Sequence, residues 1–275
     1  MIQLNDVSVR YGDTYALRST SLKLHKGQFT VLLGASGAGK STLLRCINMM
    51  CQPSAGTIDV VGLGLLQNRR VLQAHRRQTG MVFQQHQLIA RRTALQNVLM
   101  GRLGYHTTLR SLFPLSQEEQ RIGLRALDRV GLLHKALTRV DQLSGGQQQR
   151  VGIARALTQQ PKLILADEPV ASLDPATSEK VLEILRQICK EDGISAVVSL
   201  HQVDLALKYS DRIVGLAHGK VMFDAVPTDL NENVLAALYD AKPSTVSEVP
   251  TMPFASILNL SLIHISEPTR LRRIS

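Results

Sequence analysis

Residues 34–41 read GASGAGKS and stand between an apolar run of five, FTVLL (Phe29–Leu33), and a segment whose apolar residues recur at helical spacing. This is the G-x-x-x-x-G-K-S pattern in the context it needs, after a strand and at the start of a helix. Glycines at Gly34, Gly37 and Gly39 let successive backbone N–H groups turn inward as a nest, with Ala35, Ser36 and Ala38 between them. The following helix adds the positive end of its dipole at the same point, so the segment predicts a polyphosphate cradle over residues 34–42. Lys40 would meet the outer phosphates as a point charge, the Ser41 hydroxyl would ligate Mg²⁺, and Thr42 follows in the same turn.

A strand that feeds a phosphate-binding helix belongs to an α/β fold, and other parts of the chain agree. Residues 162–166 and 196–200 are short apolar runs bounded by Gly, Pro or polar residues, and read as buried parallel strands. Between them Val181, Ile184, Leu185 and Ile188 share one helix face, with Asp174 and Pro175 as N-cap and first turn. The first 30 residues show short alternating segments, at 4–10 and 20–24, and predict a small antiparallel sheet. From about 85 to 159 the pattern turns helical, with Ser116 and Glu119 spaced as a capping box, and predicts a helical insertion. After Asp211 the pattern predicts two strands around a turn at His218 and Gly219, then a final helix near 230–238. The core is expected to span 1–242 and the remainder, 243–275, to be a disordered tail. The last fifteen residues, SLIHISEPTRLRRIS (261–275), resemble a translated sequencing-adapter fragment, and are set aside as non-native in reading the fold.

Charge and cysteine usage exclude several classes. No run reaches the roughly 18 apolar residues needed to span a bilayer, and the first residues, MIQLNDVSVR, do not read as a signal peptide, so a cytoplasmic protein is expected. Three cysteines without CxxC spacing indicate neither a disulfide framework nor a zinc site. The net charge is +10, and eight arginines with no acidic residue lie between Val60 and Gln117. Such a block suits a solvated face, anionic headgroups, an acidic partner or nucleic acid. With no Trp and 4% aromatics there is little for bases to stack on, and no nucleic-acid partner is expected.

Two further segments carry chemistry. Residues 163–169, LILADEP, place Asp167 and Glu168 at the C-terminal end of a strand, where open α/β sheets bind ligands. There Asp167 can hold the Mg²⁺ shell and Glu168 can polarise an attacking water. Residues 143–150, LSGGQQQR, make a second small-residue helix start at Ser144, Gly145, Gly146 and Gln147, about a hundred residues from the first. One phosphate loop has no obvious need of a second anion-binding geometry.

With LSGGQ the chain resembles the ATP-binding subunits of ABC transporters over 1 to about 240. The resemblance implies a P-loop NTPase of ABC type: a mostly parallel core sheet, an N-terminal antiparallel β subdomain and a helical subdomain at about 85–159. It also implies ATP and Mg²⁺ as ligands, and a head-to-tail dimer in which Ser144–Gln147 of one copy close over the nucleotide held by the phosphate loop of the other. Tyr11 (VRYG) matches the position that stacks on adenine, Gln84 (MVFQ) the glutamine that senses Mg²⁺ and the attacking water, Asp174 (SLDP) the D-loop aspartate, and His201 the switch histidine at the γ-phosphate. Glu168, His201 and Gln84 are thereby the expected catalytic residues, and Ser41, Gln84 and Asp167 the expected metal shell. Gly152 stands where the family usually has alanine. The stretches GRLGYHTTLRSLF (101–113), ILADEPVASLDP and SLHQVDLALKYSDRIVGL are similar to the phosphonate-importer branch. The implied protein is peripheral on the cytoplasmic face of the inner membrane, joined to permease subunits and served indirectly by a periplasmic binding protein. Importers of amino acids or inorganic anions, and non-transport ABC ATPases acting on nucleic acid, are the alternatives.

Overall fold

A computed structural model of the chain describes residues 1–85, 87–106, 115–231, 234–235 and 238–239, all within the first of its two contact units, Met1–Ala241. The expected tail from 243, its adapter-like end at 261–275, residues 107–113 of GRLGYHTTLRSLF and parts of the expected helix near 230–238 lie outside the described residues.

The core is a six-stranded sheet. Strands β3 (Phe29–Leu33), β6 (Thr79–Val82), β7 (Leu163–Ala166), β8 (Ser195–Leu200) and β9 (Arg212–Ala217) run parallel, and β10 (Lys220–Ala225) closes one edge antiparallel, in the order β10-β9-β3-β8-β7-β6. Every residue of β3, β6, β7 and β8 is buried, because both faces of the sheet are covered. The two-residue period of a strand then sends Val31 and Leu33 into one apolar layer and Leu32 into the other. The first layer is covered by α5 (Gly145–Leu157) and α6 (Pro175–Asp192), through residues such as Ile153, Val181 and Leu185. In the second, Leu43, Leu44 and Ile47 of α1 (Lys40–Ile47) join an antiparallel sheet. That sheet contains β1 (Ile2–Tyr11), β2 (Thr14–Leu24), β4 (Ala55–Val60) and β5 (Gly64–Leu65), in the order β2-β1-β4-β5.

The helical region contains α3 (Ala94–Leu99), a 3₁₀ segment (Met100–Tyr105), α4 (Gln117–Arg129) and α5. Both parts of the expected capping box are present at Ser116 and Glu119.

Several elements differ from the sequence reading. The antiparallel sheet recruits β4 and β5, and β6 adds an edge to the parallel sheet; none of these was expected. Their own residues say little: β4 opens on Ala55 and Gly56 and carries Asp59, while β6 has four residues, TGMV. A short helix, α2 (Arg69–Arg77), occupies the start of the basic block, with Asn68 as its N-cap. Helix α1 ends at Ile47 with Asn48 as C-cap, and Met49 then turns left-handed at φ 52°. Several arginines of the block serve as internal clamps. Arg76 Nε donates to Asn48 O at 3.3 Å, Arg77 Nε to Gly104 O at 2.9 Å, and Arg102 to Thr158 O at 2.9 Å.

Candidate functional site: a phosphate cradle at one sheet edge

Parallel strands place their C-terminal ends on a common edge, and the register brings four of them together there: Leu33 pairs with Leu200, Ala166 with Val198, and Val82 with Ala166. The residues that follow are Gly34 after β3, Asp167 and Glu168 after β7, His201 after β8, and Gln84 shortly after β6. Sites separated by more than 160 residues thus meet because adjacent strands share a direction.

The loop after β3 requires its glycines. Gly34, Gly37 and Gly39 have φ of 155°, 78° and 103°. A Cβ on Gly34 would sit 2.2 Å from Leu216 O, and one on Gly39 would sit 2.8 Å from Ala16 O. Ala35, Ser36 and Gly37 are exposed at the mouth of the loop, Ala38 is buried, and Ser41 and Thr42 are half-buried at the first turn of α1. That turn has Gly39 as N-cap, no side-chain cap and no acidic residue. Its first N–H groups therefore face the loop without a competing side-chain acceptor, which suits an anion.

Lys40 is 3% exposed. Its Nζ donates to Gly34 O at 2.8 Å and Ala35 O at 3.0 Å, with Glu168 Oε1 at 3.9 Å. Burial pushes its pKa below the ordinary lysine value, while Glu168 and Asp167 act in the opposite direction. A buried cation held by carbonyls fits a polyphosphate. Asp167 Oδ1 accepts from Ser41 Oγ at 2.7 Å and from Ser199 Oγ at 3.1 Å. An oxygen-only pair of hydroxyl and carboxylate beside the cradle fits Mg²⁺, which takes few protein ligands and the rest from water and phosphate.

Glu168 adopts φ 47°, a left-handed conformation uncommon for a non-glycine residue and a form of strain found at functional sites. The Ser199 hydroxyl holds it there by accepting from Glu168 N at 2.8 Å. Glu168 Oε1 is hydrogen-bonded to His201 Nε2. His201 Nδ1 lies 3.2 Å from Gly34 O and 3.3 Å from Lys40 Nζ. Loop, lysine, carboxylates and histidine form one connected cluster. Ser199 is the member that the sequence reading missed; a polar residue inside the otherwise apolar run SAVVSL was the available signal.

Other expected residues lie outside that cluster. Gln84 is exposed and, among the described residues, makes no hydrogen bond to Ser41 or Asp167. Tyr11 ends β1 with its ring exposed and its hydroxyl 3.1 Å from Cys51 Sγ; that contact is the largest cause of its raised pKa. The LSGGQ residues form a second cluster around the start of α5. Ser144 Oγ accepts from Gln147 N at 3.3 Å and Gln147 Oε1 accepts from Ser144 N at 3.0 Å, a complete capping box. Gly146 packs against the next helix start, where a Cβ would meet Thr177 Cγ2 at 2.3 Å. Asp174 caps that helix, accepting from Thr177 N at 3.0 Å. The Thr177 hydroxyl and backbone N–H together hold its carboxyl below the ordinary carboxylate range. No hydrogen bond or ion pair among the described residues joins this second cluster to the first.

The ABC transporter family profile matches residues 17–171, from the second strand past the Asp167–Glu168 pair. The chain belongs to the ABC transporter family. The cassette is 60% identical over 260 residues to the phosphonates import ATP-binding protein PhnC 3 of Nostoc sp. strain PCC 7120, covering 93% of this chain and 99% of that one. It is 57% identical over 246 residues to the phosphite import ATP-binding protein PxtA of Stutzerimonas stutzeri, with 89% of each covered. Among solved structures it is similar to a dimeric ATP-binding cassette in a post-hydrolysis state with ADP and phosphate, at TM-score 0.71 and 36% identity, over 82% of this chain and 99% of that one. The P-loop NTPase fold of ABC type expected from the sequence is the fold observed.

Proposed function

We propose that the cassette is the ATP-hydrolysing subunit of an importer for phosphonate or a related phosphorus oxyanion. Membership of the ABC transporter family supports the ATPase half of this reading. The cargo is carried by one observation: near-full-length identity of 57–60% to a phosphonates import and a phosphite import ATP-binding protein. The cargo half of the reading rests on that kinship.

The chemistry follows from the cluster. Loop N–H groups and Lys40 bind the triphosphate, and Tyr11 offers an exposed ring to the adenine. Ser41 and Asp167 would hold Mg²⁺, with Gln84 completing its shell; when bound, the ion neutralises charge on the phosphate oxygens. Glu168 orients the attacking water and takes its proton, held in place by Ser199 and His201. His201, already beside Lys40 and Gly34 O, reaches the γ-phosphate. Ser144, Gly145, Gly146 and Gln147 complete the site of a second copy, with Asp174 beside them. The dimeric state of the similar cassette with ADP and phosphate supports a paired arrangement.

Among the described residues no helix is long and apolar enough to cross a membrane. We place the cassette on the cytoplasmic face of the inner membrane, held there by permease subunits that are served by a periplasmic binding protein.

Two measurements test this. Glu168→Gln should bind Mg-ATP but lower kcat by about 10²- to 10⁴-fold, the worth of a general base, and should elute as a dimer in gel filtration with Mg-ATP. A variant that stays monomeric at saturating nucleotide refutes the shared site. For cargo, restoration of growth on methylphosphonate as sole phosphorus source, by the cassette with its cognate permease and binding protein, supports the reading; restoration of amino-acid uptake alone overturns it.

A further inference from the structure

His201 lies just beyond β8, whose last ladder pair with β3 is Leu200 with Leu33. Its backbone carbonyl is therefore past the sheet, and the first main-chain acceptor of the next helix, α7 (Val203–Tyr209), is Gln202 O, bonded by Ala206 N at 3.1 Å. Neither ladder nor helix satisfies His201 O. Among the described residues one group does: the Tyr239 hydroxyl donates to it at 3.0 Å. Exposed Tyr239 follows Leu238, which is 3% exposed and belongs to the larger apolar core, while half-buried Leu230 and Leu235 pack against that core. The hydroxyl thus sits next to a residue anchored in the core. The residue it holds presents its ring to three members of the nucleotide cluster: Glu168, Gly34 and Lys40.

We infer that Tyr239 is a positioning residue for hydrolysis: its hydroxyl fixes the main chain of His201, and with it the reach of the imidazole toward Glu168 and the γ-phosphate. A histidine whose main chain can shift loses the ring geometry that puts Nε2 on Glu168 and Nδ1 beside Gly34 O and Lys40 Nζ, since the two nitrogens of an imidazole sit at fixed positions on one rigid ring. The link also ties Tyr239 directly to the catalytic cluster. The inference rests on the proposed role of His201 at the γ-phosphate.

The test uses the full chain and three variants, Tyr239→Phe, His201→Ala and the double variant, with ATPase kinetics, melting temperature and the ¹⁵N resonances of the His201 ring. Tyr239→Phe keeps the ring and removes only the donor. It should lower kcat by about three- to ten-fold, the worth of one neutral hydrogen bond, leave KM for Mg-ATP within about two-fold, and shift the His201 ring resonances. The double variant should be no slower than His201→Ala. Unchanged kcat and ring resonances in Tyr239→Phe, with His201→Ala inactive, overturn the link while leaving the role of His201 standing. A fall in melting temperature with kcat and KM changing together overturns it in favour of a structural role. A fully active His201→Ala overturns both.

Discussion

Two helices of this cassette begin in glycine-rich sequence, and their first turns are built in opposite ways. Helix α1 starts at Gly39 with no side-chain cap, so its leading N–H groups face the loop that holds Lys40. Helix α5 starts at Ser144 with a reciprocal cap from Gln147, so part of its N-terminal hydrogen bonding is satisfied at home. The glycines differ in purpose as well. Those of the phosphate loop are required by positive φ and by carbonyls within 2.2–2.8 Å of any Cβ at Gly34 and Gly39. Gly146 sits in a regular helix and is required by Thr177 packed against it. An open first turn with a buried cation suits an anion held within its own chain, the role proposed for it. A closed, pre-formed first turn suits a rigid surface, as the proposed completion of a second copy's site would need.

The largest expected effect separates the two ends directly. Lys40→Ala removes the one buried cation of the α1 cradle and should raise the nucleotide Kd at least about 100-fold, as loss of charge-assisted hydrogen bonds to phosphate would; titration of a fluorescent ATP analogue measures it. The same variant should leave the α5 cap intact, with wild-type helix content by circular dichroism. Gly146→Ala comes next. Its Cβ would fall 2.3 Å from Thr177 Cγ2, so overpacking should cost about 1–3 kcal/mol in denaturant unfolding. Hydrolysis should fall while nucleotide affinity stays near wild type; affinity falling as far as in Lys40→Ala would break the proposed division of labour.

Ser144→Ala tests the closed cap more gently. It should cost about 1 kcal/mol of stability and slow hydrolysis at low protein concentration more than at high, if the affected surface is the one that faces the partner, as proposed. The smallest effect lies within the same helix. A Cβ added at Gly152 would meet nothing within 4 Å, and Gly152→Ala should stabilise the protein by about 0.5–1 kcal/mol with no change in kcat, as thermal unfolding and steady-state kinetics would show.

Legibility in the sequence followed the range of the cause. The phosphate loop, the buried strands β3, β7 and β8, the Asp174–Pro175 helix start and the Ser116 capping box were readable because each is decided within a few residues, by dihedral preference, periodicity or a local cap. Strands β4, β5 and β6 were not, because their pairing with β1, β4 and β7 respectively supplies what their own residues lack. Arginines that read as a charged surface proved to be clamps on main-chain carbonyls at Asn48, Gly104 and Thr158, partners that periodicity does not report. Ser199 was overlooked because a lone serine in an apolar strand has no visible partner until β7 lies beside β8 and brings Asp167 and Glu168 N to its hydroxyl.

The amino-acid order by itself determined which groups this chain would bring to phosphate chemistry: a loop with glycine at 34, 37 and 39, a lysine and serine at the first helical turn, an acidic pair, a histidine and a second glycine-rich helix start. Tertiary structure alone decided how they meet. The parallel order β9-β3-β8-β7-β6 carries residues 34, 84, 167 and 201 to one edge, Ser199 and Tyr239 tie the acid pair and the histidine in place, and Thr177 fixes the need for Gly146. The reason is one of range: dihedral and capping preferences act over a few residues, whereas contacts between strands and helices far apart in the chain exist only after the apolar layers have closed around the sheet.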